Sequence, residues 1–280
     1  MSSKPNEIIA ALAVKYDGVW EKIYEAVKNK EEIDVNKYME ILEKSKYGWL
    51  TLLDEGYPEK LKKVQKPPFC LFFPDNTQKG AFIDIVNASL AFKPISIVAG
   101  SPNKPYKMDM VYEIERTVAD YTLHSTFLIT TPPANDASRE IIDTMIEQSG
   151  GHCYTGIVVS ERSLDWTEMP SVVPTNMCYV SEFFKGVKNR SKYGVERRNR
   201  LMAGLSSALF ITRAKKGSWG MNTLVNTAIA SDVTIYVVDP KEINETDGPK
   251  AYDFSQALLE EGAASKIVLT KEAIEEIVVL

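Results

Sequence analysis

The segment RRNR at residues 197–200 brings three guanidinium groups and one amide together. Guanidinium groups donate paired hydrogen bonds to phosphate oxygens, so the cluster has the chemistry of a polyanion site. The apolar residues that follow predict a short helix leading into a strand, with the arginines in or just before its first turn. Because cations there oppose the helix dipole, an anion is expected to compensate them. We therefore expect Arg197, Arg198, Asn199 and Arg200 to face outward and bind phosphate.

The same cluster is also compatible with two arrangements that involve no ligand. The arginines could form an ordinary solvated charged surface. They could also pair with Glu182, Glu196 and the acidic residues of the N-terminal part of the chain. Either arrangement would leave no guanidinium group free for a ligand.

A second cationic loop follows the apolar run at 208–212. Arg213, Lys215 and Lys216 precede small residues that enter a helical pattern at 220–230. Small residues at a strand-to-helix turn let backbone N–H groups approach an anion. Trp219 could stack on a base or anchor the loop to the core. The predicted phosphate contacts of this loop are Lys215, Lys216, Gly217 and Ser218.

A third candidate loop follows the apolar run at 95–98. Gly100 and Ser101 could let a phosphate approach the backbone, and Lys104 and Lys107 supply positive charge. Pro102 and Pro105 remove two N–H donors from the same loop. A stiff turn without a ligand is the alternative for this segment.

The charge of the chain confines any nucleic-acid surface to one patch. The chain has 33 Lys and Arg residues and 38 Asp and Glu residues, so its net charge is −5. Residues 185–216, by contrast, hold ten Lys or Arg and one acidic residue, Glu196. A protein that coats nucleic acid with its whole surface is thereby excluded.

Other chemistries have little support in the sequence. Three cysteines without CxxC spacing and two isolated histidines argue against disulfides and metal sites, and no catalytic motif occurs. We expect a non-enzymatic protein without a cofactor. No long apolar run or secretion signal is present, so we expect a cytoplasmic protein that makes no membrane contact.

The periodicity of the chain predicts an α/β fold. Helical spacing in the first fifty residues predicts a small helical module, with Asp34 as an N-cap and Gly48 as a helix stop. The prolines that follow predict a connector without regular helix that leads into a strand at 69–73, and module and connector together span residues 1–66. From residue 67 to 280, short β-rich runs alternate with helical patterns, which is typical of a Rossmann-like, doubly wound, mainly parallel sheet. In such sheets ligands bind beyond the carboxyl ends of the strands. The predicted strands of this sheet are 95–98, 127–130, 156–159, 208–212 and 233–238.

With these residues identified, the chain resembles the DNA-processing protein A family (DprA, also called Smf) from about residue 50 to 275. RNR with the following AGLS at 203–206 resembles the family's most specific signature. Weaker matches are Tyr57–Pro58, Gly150–Gly151, Ser181–Glu182, Gly217–Ser218, Thr223, Ala228 and Gly262–Ala263.

The chain departs from the family pattern in its first two loops. Pro102 stands where the family has an arginine, and Lys104 or Lys107 could replace only its charge. The second loop keeps Thr130, Thr131 and Asp136 but has Arg139 and Glu140 in place of an Ala-His pair. Half of the family's ligand pocket is therefore rebuilt.

The resemblance implies a sequence-independent single-stranded DNA-binding protein of DNA processing and recombination. It also implies a homodimer that could load a RecA-type recombinase. Two alternatives remain open at this point. The rebuilt loops could form a small-nucleotide pocket, in a sensor, a signal-sequestering protein or a nucleoside-processing enzyme. The protein could also be an interaction module without a ligand.

Overall fold

The computed structural model of the chain describes residues 4–88, 93–99, 128–132, 139, 142–143, 156–171, 173, 177–188, 191–238, 252–268, 270, 272–273 and 276–277. The helix expected at 107–123 lies outside these ranges. The helix expected at 136–149 does too, except for residues 139, 142 and 143, which are helical. Among the described helices, none combines the length and apolar character needed to cross a membrane.

Three helices form the N-terminal module, as the apolar spacing predicts: α1 (Pro5–Lys15), α2 (Trp20–Lys28) and α3 (Val35–Ser45). Asp34 caps α3 as predicted, because its carboxylate accepts a hydrogen bond of 3.1 Å from the backbone N–H of Lys37. The interpretation of Gly48 as the stop of this helix is wrong. The helix ends at Ser45, and Lys46 takes the left-handed conformation at φ 63°.

A two-stranded antiparallel sheet follows the module. Its strands are β1 (Gly48–Thr51) and β2 (Cys70–Phe73). Between them lies a short helix, α4 (Glu59–Lys62), which the prolines were expected to prevent. Pro58 precedes its first turn, where a missing N–H costs nothing. The predicted domain boundary after residue 66 falls in this connector and stays a prediction.

Seven parallel strands form the main sheet, and the Rossmann-like, doubly wound prediction is confirmed. The five predicted strands are present within one residue of their expected ends. The strands are β3 (Ile95–Ala99), β4 (Leu128–Thr130), β5 (Gly156–Val159), β6 (Met177–Val180), β7 (Ala208–Arg213), β8 (Thr234–Val238) and β9 (Ser265–Ile267).

The order of these strands defines a switch point between β3 and β7. The order across the sheet is β6, β5, β4, β3, β7, β8, β9. The chain thus runs outward from β3 to β6, then returns to the other side of β3 and continues to β9. Ligands of open α/β sheets bind beyond the carboxyl ends of the strands at such a point.

Two long helices border the carboxyl edge: α6 (Lys192–Leu205), which leads into β7, and α7 (Trp219–Ala230), which follows it. Leu201 and Met202 of α6 and Leu224 of α7 pack in one core cluster with residues of the sheet. A shorter helix, α8 (Asp253–Glu260), completes this side, and α5 (Asn76–Ala88) packs on β1 and β6.

The start of α6 differs from the expectation. The helix begins at Lys192, and the hydroxyl of Ser191 caps it by accepting a hydrogen bond of 3.0 Å from the Gly194 N–H. The three arginines therefore lie in the second and third turns. Because the helix dipole acts within the first turn, the expected dipole penalty does not apply to them.

Candidate functional site

The arginines of the RNR segment are buried. Arg197, Arg198 and Arg200 keep 3, 8 and 9% of their surface exposed, and Asn199 keeps none. The expectation that the guanidinium groups face outward over the edge of the sheet is therefore wrong. A phosphate chain on the protein surface would not reach them in this conformation.

Two carboxylates neutralise this cluster. Arg198 forms an ion pair with Glu161, and Arg200 forms one with Glu182. The guanidinium of Arg197 lies 3.7 Å from the same Glu182 carboxylate. Pairing with Glu182, one of the alternatives left open by the sequence, is thus the observed arrangement. Both carboxylates are 3% exposed, so these interactions are little screened by solvent.

The carboxylates of Glu161 and Glu182 follow two neighbouring strands at equivalent positions. Val159 and Val180 are register partners at the ends of β5 and β6, and each glutamate stands two residues further along its strand. Sequence reasoning missed Glu161. Its position two residues after a predicted strand, like that of Glu182, is the signal that could have found it.

Arg197 also joins the helical module to α6. Its guanidinium donates to the carbonyl of Gly18, in the turn between α1 and α2, and to the hydroxyl of Tyr193. It lies 4.0 Å from the centre of the Tyr193 ring. Arg197 is therefore a structural link between two parts of the molecule.

Asn199 connects the arginine cluster to the start of α7. Its side-chain amide donates a hydrogen bond of 2.9 Å to the carbonyl of Gly220. Its side-chain oxygen accepts from Nη2 of Arg198 at 2.9 Å. The chain of contacts from Glu161 through Arg198 and Asn199 thus fixes the first turn of α7 relative to β5.

The loop between β7 and α7 carries the exposed charge at this edge. Lys215, Lys216 and Gly217 are exposed, and Ser218 is half-buried. Gly217 has φ +82°, a conformation that favours glycine. The side chain of Ser218 does not cap α7, so the N–H groups of the first turn have no side-chain acceptor from the N-cap residue. The loop thus exposes the cations that the sequence predicts there, and phosphate binding by Lys215, Lys216, Gly217 and Ser218 stays a prediction.

Neighbouring residues modify that loop. The carboxylate of Asp253 accepts a hydrogen bond from the Lys216 N–H and holds the loop against α8. Trp219 is exposed, and the Lys192 ammonium lies 5.4 Å from the centre of its ring. An exposed ring beside cations has the properties of a base-stacking platform.

The remaining predicted contacts, Gly100, Ser101, Lys104 and Lys107, lie outside the described residues. The strand that precedes them in the chain, β3, pairs with β7, the strand that precedes the loop at 214–218. The predicted contribution of these four residues to phosphate binding stays a prediction.

Arg213 differs from the other buried arginines. It is the last residue of β7 and is 4% exposed. Its Nε and Nη2 atoms are buried without a hydrogen-bond partner in the part of the chain that the structure describes. Sequence reasoning treated it only as a cation flanking the loop, because burial is not readable from that pattern.

A cavity of about 390 Å³ lies between the helical module, α6 and α7. Glu21, Lys66 and Tyr193 form part of its wall. The hydrogen bond from Lys66 lowers the pKa of Glu21 to about 2, whereas burial raises the pKa of the Tyr193 hydroxyl. This cavity lies behind the arginine cluster and not at the cationic loop.

The described residues contain no group of three or more metal-ligating side chains. Cys70 and Cys178 are buried free thiols, and burial raises the pKa of each. Protonated, buried thiols are poor nucleophiles and poor metal ligands.

The geometry defines a Rossmann-like α/β protein with a cationic loop at the switch point of its sheet. Residues 165–278 match the model of the family described as DNA recombination-mediator protein A. This match supports the resemblance found in the sequence, over that segment of the chain.

Two solved structures share the fold. DNA processing protein A from Streptococcus pneumoniae is 16% identical, with a TM-score of 0.66 and 98% of each chain covered. DNA processing protein A from Helicobacter pylori is 20% identical, with a TM-score of 0.57, over 82% of this chain and 94% of that one. The second structure concerns a single-stranded DNA binding mode of the Helicobacter protein. Among curated proteins, none matches the chain significantly.

Proposed function

We propose that the protein binds single-stranded DNA without sequence preference, as a non-catalytic component of DNA processing and recombination. The observation that carries the proposal is the exposed loop at the switch point of the sheet. Lys215 and Lys216 supply charge there, and Gly217 and Ser218 lead into the free N–H groups of α7. The family match and the single-stranded DNA binding mode of the Helicobacter protein point to the same ligand.

The arginine cluster has a positioning role in this proposal. Arg198 and Asn199 orient the first turn of α7, and Arg197 and Arg200 hold α6 against the strand ends through Glu182. Their effect on DNA binding is therefore indirect. Gly100, Ser101, Lys104 and Lys107 are proposed as the contacts of the neighbouring loop.

The salt dependence of binding tests the proposal. Each neutralised phosphate of a single strand changes the logarithmic salt slope by about −0.7, so replacing both Lys215 and Lys216 with alanine should flatten the slope by about 1.4. The probe is a labelled oligo-dT, measured by fluorescence anisotropy between low and moderate salt. A matched control replaces Lys28 and Lys44, two exposed lysines of the helical module, with alanine.

The control variant is expected to keep the wild-type slope. Absence of oligo-dT binding by the wild type would overturn the proposal. Binding that does not change with salt would also overturn the proposal, because contacts with phosphate groups make the affinity depend on salt.

The partner in recombination and the assembly state are proposed from the family resemblance. The bound strand would pass to a RecA-type recombinase in the cytoplasm, and the protein would act as a homodimer. Light scattering tests the dimer, and a recombinase-loading assay on protein-coated single strands tests the transfer. A monomer at micromolar concentration, or unchanged loading, would contradict these points while leaving DNA binding itself intact.

A further inference from the structure

Two exposed tryptophans lie at the carboxyl edge of the sheet, each with a lysine over its ring. Of the four tryptophans in the chain, only Trp166 and Trp219 are exposed, at 43% and 38% of their surface. The Lys188 ammonium lies 4.3 Å from the centre of the Trp166 ring, and the Lys192 ammonium lies 5.4 Å from that of Trp219. An exposed ring beside a cation combines the two contacts that hold single strands, base stacking and attraction of phosphate.

Trp166 is held at the end of β5. It ends a short 3₁₀ turn whose flanking residues are both anchored. On one side, the Ser163 N–H donates a hydrogen bond of 3.3 Å to the carbonyl of Val187, in the chain that leaves β6. On the other side, the Thr167 hydroxyl lies 2.6 Å from that of Ser160, the first residue after β5. The ring therefore belongs to the same edge of the sheet as the cationic loop.

The distance between the two tryptophans is fixed by buried contacts. Glu161, five residues before Trp166, pairs with Arg198, and the side chain of Asn199 connects Arg198 to the first turn of α7, which begins at Trp219. The strands that precede the two rings, β5 and β7, are three strand spacings apart, or about 14 Å. A DNA single strand that crosses the edge can therefore pass from one ring to the other without a rearrangement of the protein.

The charge around Trp166 is favourable for a polyanion. The exposed charges of the described residues in this region are three lysines and two acids, Lys185, Lys188, Lys192, Asp165 and Glu168. Glu168 is already paired at 3.0 Å with the exposed guanidinium of Arg139. Cations are thus in excess beside the ring, which provides charge complementarity with phosphates.

We propose that Trp166 and Lys188 form a second contact site for single-stranded DNA, at which a base stacks on the indole ring and the ammonium binds an adjacent phosphate. The inference rests on the proposed function and adds a path to it. The strand would run from the loop at 214–218 and Trp219, across the carboxyl ends of the strands, to the end of β5.

The test compares oligo-dT with a strand of equal length that has abasic sites in place of the bases. Trp166→Ala should weaken oligo-dT about fivefold or more and leave the abasic strand unchanged, because only the stacked base is lost. Trp166→Phe should retain most of the affinity. Lys188→Met should weaken both strands and flatten the salt slope by about 0.7. Tyr24→Ala is the matched control, because Tyr24 is 44% exposed on the helical module and should affect neither strand.

Tryptophan fluorescence provides a second measurement. Trp219→Phe leaves Trp166 as the one exposed emitter, since Trp20 and Trp49 are half-buried. Saturating oligo-dT should quench the fluorescence of this variant, because a stacked base quenches indole emission. The double variant with Trp166→Phe and Trp219→Phe should show no such quenching.

The outcomes separate the inference from the function on which it rests. Unchanged oligo-dT affinity of Trp166→Ala would overturn the inference and leave DNA binding standing. Equal weakening of the two strands by this variant would also overturn it, because the role of Trp166 would then be structural. Failure of the wild type to bind either strand would instead reject the proposed function.

Discussion

Asn199 and Gly220 join two helices at the carboxyl edge of the sheet, through a hydrogen bond of 2.9 Å from the asparagine amide to the glycine carbonyl. The same asparagine accepts from Arg198, whose guanidinium pairs with Glu161. The most specific sequence signature of the chain therefore acts as a brace. It fixes the helix terminus at which the cationic loop would meet its ligand.

Replacing Asn199 with alanine is expected to lower both stability and affinity. The change removes the donor to the Gly220 carbonyl and the acceptor of two Arg198 N–H groups, which costs about 1–3 kcal/mol per buried group. Urea unfolding measures the loss of stability, and oligo-dT anisotropy measures the loss of affinity. Asn226→Ala, an exposed change on α7, should leave both unchanged. An Asn199→Ala protein with wild-type values would show that the brace has no function.

Replacing Glu182 with glutamine should destabilise the protein strongly. The Glu182 carboxylate lies beside the guanidinium groups of both Arg197 and Arg200. Removing one partner of a buried ion pair costs about 3–5 kcal/mol of stability. The expected result is a lower midpoint of urea unfolding, which tryptophan fluorescence measures. Glu196→Gln is the matched control, because Glu196 is exposed on the same helix and forms no ion pair with the described residues. Equal midpoints for the two variants would contradict the assigned role of Glu182.

The sequence predicts the central part of the fold well. The five predicted strands are apolar runs. Strands of a parallel sheet are buried on both faces, so nearly every residue along them is apolar. Strands β1, β6 and β9 were not predicted, and the signals of β9 and β1 are weak. β9 is only three residues long, with Ser265 and Lys266 exposed. β1 begins at the glycine that was interpreted as a helix stop.

The site is less predictable from the sequence. A count of charges in the segment around the arginines does not include the glutamates that lie elsewhere in the chain and contact the arginines only after folding. Arg198 and Glu161 are separated by 37 positions, and Arg200 and Glu182 by 18. Parallel pairing of β5 and β6 carries both glutamates to one edge. The helix start at Lys192 also lies outside the apolar pattern from which the helix was predicted.

The two described cysteines should make the protein less stable at alkaline pH. Burial raises the folded-state pKa of Cys70 and Cys178, so above about pH 8.5 the unfolded chain releases protons that the folded protein retains. Stability is then lost by about 1.4 kcal/mol per pH unit for each thiol as the pH rises. Urea unfolding between pH 7.5 and 10 measures this slope. Cys178→Ala should reduce the slope by the contribution of one thiol, about 1.4 kcal/mol per pH unit. An unchanged slope would contradict the prediction.

Gly18 should be the least replaceable glycine of the helical module. Its φ is +66°, and a Cβ atom there would overlap the backbone carbonyl oxygen of Glu182. Its own carbonyl accepts from Arg197, so a shift of this turn would also disturb the arginine cluster. Gly18→Ala is therefore expected to cost more than the roughly 1–2 kcal/mol of a left-handed residue alone.

Gly186→Ala provides the matched control for Gly18→Ala. Gly186 has a similar φ of +86°, but a Cβ atom there would meet nothing within 4 Å. Both variants carry the same kind of backbone strain, so the difference between their urea midpoints isolates the contact between the module and the strand end. A larger loss for Gly18→Ala, with weaker oligo-dT binding, is expected. Equal losses would mean that the module does not support the arginine cluster through this turn.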